Sequence, residues 1–340
     1  MDKQRPTMKD VAERAGVSVS TVSYVLNGSG PVGSARRERV LEAVRALDYT
    51  PNEFARRLKR RAQATIALVV PDLANQFFAM VAEGVERAAA ERDALVVLCA
   101  PEVTDKPGLH HARLLRSQRV DGVIYLSNTG MPPSTIIELI RAGPIVLVDE
   151  PVAGFDLPAV VSDCRRGARE VAQHVFDSGR RRVAVIGGPP SLWTAQQRLA
   201  GYREAAAAAG LDPDALPVYV GDYRQASGER LAEQILAGKR GRRPEALLCA
   251  NDLMAVGAMQ FCKAAGIDVP ADVSLVGFDD LPFASLLTPP LTTVRQPARD
   301  MGQRAANLLF ERLGGEGGAS GEAEGALPVE VMIRGSVAPA

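Results

Sequence analysis

TMKDVAERAGVSVSTVSYVLN, residues 7–27, decides how the head of this 340-residue chain folds. Thr7 followed three residues later by Asp10 is a capping-box pattern, in which hydroxyl and carboxylate satisfy backbone N–H groups that a first helical turn leaves unpaired. Val11, Ala12 and Ala15 give the helix that follows an apolar face. Gly16-Val17-Ser18 then breaks it, with Ser18 placed to cap a second helix through Leu26. In that helix Val22, Val25 and Leu26 fall at i, i+3 and i+4 and need a partner, while Thr21, Ser23, Tyr24 and Asn27 are left on the other side. Two short helices joined by a three-residue turn containing glycine form a helix-turn-helix layout. A third helix, from about 34 to 47, is expected to close the small core with Val40, Leu41, Val44 and Leu47, and Thr50 before Pro51 ends it.

Outward from the head the texture changes twice. Residues 52–63, NEFARRLKRRAQ, set Ala55 and Leu58 among Arg56, Arg57, Lys59, Arg60 and Arg61. Like charges this dense repel in a free helix, so the segment is expected to order when a polyanion neutralises it. Residues 1–63 hold 13 Lys and Arg against 7 Asp and Glu, and the formally neutral whole leaves the rest of the chain acidic by the same margin. A basic head on an acidic body points to a polyanion partner for the head alone.

From Ala64 strand and helix patterns alternate. Strand candidates are 65–70, 94–99, 122–127, 144–149, 182–188, 217–222, 246–252 and 273–280, with PVEVMI at 328–333 last. Helical patterns lie at about 76–92, 109–118, 134–142, 164–178, 194–210, 225–238 and 252–265. Such alternation implies parallel sheets covered on both faces, and the count is about twice that of one doubly wound sheet, so two lobes are expected. The loop GGEGGASGEAEG (314–325) reads as flexible filler.

Composition bounds the function. At 46% apolar and 24% charged residues the chain is an ordinary soluble globular sequence. It has no apolar run of roughly 18 residues that would make a transmembrane helix. The polar N-terminus, MDKQRPTMKD, lacks an apolar signal core, so a cytoplasmic protein is expected. Cys99, Cys164, Cys249 and Cys262 are widely spaced in apolar segments and read as reduced core residues. No metal spacing, cofactor motif or catalytic constellation occurs. GSGPVG (28–33) fits GxGxxG in letters but follows a helix and contains Pro31. His110-His111 lacks further ligands at metal spacing, and His174 has no nucleophile motif.

With TMKDVAERAGVSVSTVSYVLN, NEFARRLKRR, GVIYLS, VLVDEP, QRLAGYREA, ALLCANDLMAVGAM, VSLVGFDD and PPLTTVRQP in this order, the chain resembles the lactose-repressor (LacI/GalR) family of bacterial transcription regulators over essentially its whole length. The resemblance implies an all-α helix-turn-helix head with a hinge helix, followed by an α/β two-lobe, periplasmic-binding-protein-like effector domain with two doubly wound parallel sheets. Its boundaries fall at 1–51 for the head, 52–63 for the hinge and 64–340 for the body. The N-lobe takes about 64–162 plus 293–313, and the C-lobe about 163–290 plus 327–337.

The resemblance also assigns residues. Val19, Ser20 and Tyr24 match base-reading positions, and Thr21, Ser23 and Asn27 match phosphate-binding ones, with Ser18 beside them; short hydroxyls suit phosphate oxygens and longer side chains reach bases. Ala55 and Leu58 match a hinge helix whose leucine wedges into the minor groove, and Arg57, flanking the wedge, is expected to contact phosphate. Tyr24 departs from the family, where arginine is common; its ring could lie on a thymine methyl, which implies a different half-site.

In the body Asp72, Asp149, Asn251, Asp279 and Asp280 stand at strand carboxyl ends, where α/β sheets bind ligands. By resemblance Asp149, Arg198, Asn251 and Asp279 match effector positions and Phe77, Phe78 and Tyr223 pocket walls; Trp193 and Gln296 are added to the expected effector residues, as is Asp72 from its strand end. Carboxylates, an amide and an arginine beside aromatic rings suit a sugar, while the phenylalanines could instead stack a purine or nucleoside. Asn75-Gln76-Phe77, where the family often has proline, and Gly179-Arg180, where it often has Gly-His, are departures.

The expected function is a DNA-binding regulator, with a repressor favoured, that grips a near-palindromic double-stranded operator as a homodimer and answers to a small-molecule effector, with no cofactor and no membrane partner. The chain ends soon after its last strand candidate, so no C-terminal tetramerising coiled coil is expected. A solute-binding protein is the rival reading; it would need a signal peptide and no basic head.

Overall fold

The computed structural model describes residues 7–27, 32–47, 64–99, 109–117, 119–126, 133–238, 243–315 and 325–339. The chain divides into two compact units, Met1–Gln63 and Ala64–Ala340. The expected hinge helix, with Ala55, Arg57 and Leu58, and most of the glycine-rich loops at 28–33 and 314–325 lie outside the described residues.

The first unit contains α1 (Met8–Ala15), α2 (Val19–Asn27) and α3 (Ser34–Ala46). Thr7 and Asp10 form the full capping box: the Thr7 N–H and hydroxyl both donate to Asp10 Oδ2 at 2.7 Å, and the Asp10 N–H donates to Thr7 Oγ1 at 3.4 Å. Gly16 ends α1 at φ 63°, a left-handed conformation that glycine adopts without strain. Val11, Ala12, Ala15, Val22, Val25, Val40 and Ala43 form the core, with Val44 and Leu47 packed on it. The expectation for Leu41 is corrected, because it is exposed. The inward stripe runs Val40, Ala43, Val44, Leu47 at helical spacing, and Leu41 stands about 100° away from Val40 around the helix.

The second unit has two lobes. In the first, β1 (Thr65–Val69), β2 (Leu95–Cys99), β3 (Gly122–Leu126), β4 (Ile145–Val148) and β5 (Ala159–Val160) make a parallel sheet of order β2-β1-β3-β4-β5. Alternation along β1 sends Ile66 and Leu68 to one face, against α4 (Gln76–Ala90) and α11 (Ala298–Leu313). It sends Ala67 and Val69 to the other, against α5 (Leu109–Arg116) and α6 (Pro133–Ala142).

The second lobe repeats this plan. Its parallel sheet of order β7-β6-β8-β9 joins β6 (Val183–Gly187), β7 (Val218–Val220), β8 (Ala246–Cys249) and β9 (Ser274–Val276). Val183 and Val185 face α7 (Cys164–Asp177) and α8 (Trp193–Ala208), and Ala184 and Ile186 face α9 (Gln225–Leu236) and α10 (Asp252–Ala264). An antiparallel pair, β10 (Thr293–Arg295) and β11 (Glu330–Met332), completes the unit.

Three of these elements, β5, β10 and α11, were not among the expected ones. The last is amphipathic throughout, burying Ala298, Met301, Gly302, Ala305, Ala306 and Leu309. Val294 packs in the second lobe's core with Val276 and Phe278, so β10 belongs there and the return to the first lobe follows it, later than the expected 293.

Helices α4 and α11 pack backbone to backbone. A Cβ on Gly84 would stand 1.9 Å from the Arg299 oxygen, and one on Gly302 would stand 2.0 Å from the Val81 oxygen, so α4 and α11 cross with nothing between them. Gly302→Val should therefore force the pair apart and cost on the order of 2 kcal/mol or more, as overpacking does. Thermal unfolding of the variant checks this, and an unchanged melting temperature would refute the close crossing.

Candidate functional site

Each unit carries one candidate surface. In the head, the second helix is uncharged, since VSTVSYVLN holds no acidic or basic residue. Ser18 Oγ accepts from the Thr21 N–H at 3.2 Å and lies 2.8 Å from both Ser20 Oγ and Thr21 Oγ1, so a small hydroxyl network caps the helix start. Val19 and Tyr24 are about half exposed although their neighbours Val22 and Val25 are buried. The helix thus presents a valine, a phenol and hydroxyls outward, held by an apolar seam behind. Asn27 ends the helix, and its side chain is outside the described residues.

In the body, a cavity of about 510 Å³, open mouth included, lies at the carboxyl ends of strands from both lobes. It gathers Asp72, Phe77, Phe78, Asp149, Arg198, Tyr223, Asn251, Asp279 and Gln296. Trp193 is the one expected effector residue left out of the lining. The residues on either side of it, Leu192 and Thr194, line the cavity instead, together with Asn75, Glu150, Asp222 and Arg224, which sequence reasoning missed. The VDEP run carried a signal for Glu150, a second acidic residue where strand β4 meets a proline.

The polar residues hold one another in place. Arg198 is only 3% exposed: its Nη1 donates to the Ala250 oxygen, its Nη2 lies 3.8 Å from Asp279 Oδ1, and its Cζ sits 4.0 Å from the centre of the Phe278 ring. Gln296 Nε2 donates to the same Asp279 oxygen at 2.8 Å and accepts through Oε1 from Ser162 Oγ. Asn251 caps α10 by accepting from the Met254 N–H at 2.9 Å, and its Nδ2 donates to the Tyr223 oxygen at 2.9 Å. Phe77 and Phe78 meet edge to face at 5.5 Å. Asp280, next to the cavity residue Asp279, is tied to Arg295 and Arg334 at 2.8 and 2.6 Å.

Asp149 (φ 71°), Tyr223 (φ 66°) and Asp279 (φ 117°) are in left-handed or rarer backbone conformations that side chains other than glycine disfavour. Each lines the cavity, and such strain gathers where side chains must be aimed.

Burial pushes the Asp149 carboxyl above its ordinary range, against the pull of Arg198. Glu150 is pushed up to about 7 by burial and by the adjacent Asp149, with Thr194 and Arg198 opposing. Asp279 is also pushed up to about 7, chiefly by burial. A carboxyl raised in the folded state favours that state below its unfolded pKa and loses the advantage as pH climbs through the folded one. Replacing Glu150 by glutamine removes one such group. The melting temperature of Glu150→Gln should therefore gain on that of wild type as pH rises from about 5 to about 8. A constant difference across that range would show that Glu150 ionises normally.

A helix-turn-helix head joined to a two-lobe body with a polar cavity at its strand ends defines the class of ligand-responsive DNA-binding regulators. The model of the bacterial regulatory proteins of the lacI family matches residues 7–52, and that of the periplasmic binding protein-like domain matches 172–337. The ribose operon repressor of Escherichia coli K12 is 36% identical over 309 residues, which cover 90% of this chain and 93% of the repressor. A structure described as a complex of the transcriptional regulator CelR with cellobiose is 35% identical, covers 98% of this chain and 100% of its own, and superposes with a TM-score of 0.73. A lac repressor dimer bound to operator and the anti-inducer ONPF is 29% identical, covers 98% and 99%, and superposes at 0.80. The chain belongs to the lacI family of bacterial regulatory proteins, and it is a DNA-binding transcriptional regulator. Among its described residues no helix is long and apolar enough to cross a membrane.

Proposed function

We propose that the chain is a cytoplasmic repressor that binds a near-palindromic operator as a homodimer, under control of a sugar bound in the body's cavity. The observation that carries the effector reading is the convergence of Asp149, Asp279, Asn251 and Arg198 beside the Phe77–Phe78 pair. Carboxylates and an amide take hydrogen bonds from ring hydroxyls, and the phenylalanines offer the apolar wall that a sugar's C–H face needs. The relatives support it: one represses a ribose operon, and another was solved with cellobiose. A nucleoside is the second reading, because the same phenylalanines could stack a base.

For the DNA end, residues 1–51 act as head, 52–63 as hinge and 64–340 as effector body. Val19, Ser20 and Tyr24 read base edges; Ser18, Thr21, Ser23 and Asn27 seat the helix on phosphates; Ala55 and Leu58 engage the minor groove, and Arg57 beside the wedge contacts phosphate. The outward exposure of Val19 and Tyr24 supports this, since both side chains are free to reach a base edge. Effector binding changes the closure of the lobes and so the stance of the two heads, a coupling that requires the ligand to favour one state.

Selection of binding sites from random duplexes tests the DNA end. Wild type should enrich half-sites arranged as a near palindrome, and Tyr24→Arg should shift the preferred half-site toward guanine. Identical preferences would remove Tyr24 from base reading, and no enrichment by wild type would overturn the function. A thermal-shift panel of free sugars and nucleosides on the full chain tests the effector, since a ligand of the folded state raises its melting temperature. A panel without any shift would count against the cavity as the control site.

A further inference from the structure

The N-terminus of α8 opens at the cavity, and its first amides make the kind of seat that anions take. Leu192, at the cap position, supplies no side-chain hydrogen bond to the helix. The cap comes instead from Glu150 at the end of β4 in the other lobe. Its Oε2 accepts from the Trp193 N–H at 2.8 Å and the Thr194 N–H at 3.4 Å, and its Oε1 accepts from Thr194 Oγ1. Glu150 is itself 7% exposed and lines the cavity.

Two further observations bear on what enters. Asp149 Oδ1 is buried with no hydrogen-bond partner while the residue lines the cavity, so it calls for a donor. The buried Arg198 guanidinium donates through Nη1 to the Ala250 oxygen and lies 3.8 Å from Asp279 Oδ1 through Nη2, while its Nε has no hydrogen-bond partner.

We propose that Glu150 fills the cavity's anion seat with the chain's own carboxylate, so that the effector is an uncharged polyhydroxyl compound and its phosphorylated or carboxylated forms are excluded. The inference rests on the reading of the cavity as the effector site and narrows its ligand class. An incoming phosphate would find the α8 amides occupied and Asp149, Glu150 and Asp279 close by. A hydroxyl would supply the hydrogen that Asp149 Oδ1 lacks.

Trp193 is the chain's only tryptophan, so its emission reports this helix end alone. Titrations on the full chain are best run at about pH 8, where Glu150 is largely ionised. Inorganic phosphate should leave wild-type emission unchanged and should give a saturable change in Glu150→Ala, whose seat is open. In wild type, D-ribose and D-glucose, read by emission and melting temperature, should outbind their 5- and 6-phosphates by at least about tenfold, the least that one like-charge contact should cost.

A saturable phosphate response in wild type, or none in a folded Glu150→Ala, overturns the seat. Tighter binding of a sugar phosphate than of its free sugar overturns the ligand class, and that comparison needs no variant if Glu150→Ala does not fold. Should no free sugar or nucleoside bind wild type while phosphate binds Glu150→Ala alone, the effector reading fails and the seat stands.

Discussion

The body depends on one buried cation. Arg198, on the second turn of α8, reaches the carbonyl of Ala250 past the end of β8, the carboxylate of Asp279 beyond β9, and the ring of Phe278. A guanidinium this deep is held by a carbonyl, a carboxylate and a π-face together, and removal of the Asp279 carboxylate would leave it short of a compensating charge. The helix and two strand ends are thereby fixed to a common point. Gln296 extends the same network through Asp279 to Ser162, so the crossings between the lobes are tied to the cavity wall.

Around that point the fold gives up backbone comfort for direction. Asp149, Tyr223 and Asp279 are all non-glycine residues at positive φ, and Tyr223 is held by the Asn251 amide on its carbonyl. The helices beneath supply the rigidity. The pairs α4 with α11, α7 with α8 and α9 with α10 each meet at glycines, Gly84 and Gly302, Gly201, and Gly228 and Gly257, whose absent side chains let backbones touch. Strained residues persist where the surroundings allow no relaxation.

Much of this was legible in the residues, because hydrophobic period and punctuation are local signals. The capping box, the glycine stop and the strand-helix alternation are each carried by a few adjacent letters. What escaped was short or non-local. β5 and β10 have two and three residues, too few for an alternation to register. In α11 the helical period is present in the letters, Ala298, Met301, Gly302, Ala305, Ala306 and Leu309 forming one face. In the cavity, Leu192 in its extended cap conformation and Thr194 on the first turn of α8 line the wall, and Trp193 between them does not, a distinction that depends on how the helix start is seated. Glu150 sits in the VDEP run, but its role as a cap depends on a helix start 43 residues away, which no local pattern encodes.

The threading of the lobes has a consequence for synthesis. The first lobe's core includes Met301, Ala305 and Leu309, and the second lobe's includes Val294, Val329 and Val337. Neither core can be completed until nearly the whole polypeptide has left the ribosome. The head, whose core lies wholly within residues 8–47, can fold long before. A nascent chain therefore carries a finished DNA-facing unit on an unfinished controlling one, and premature termination would yield a head with no means of being switched.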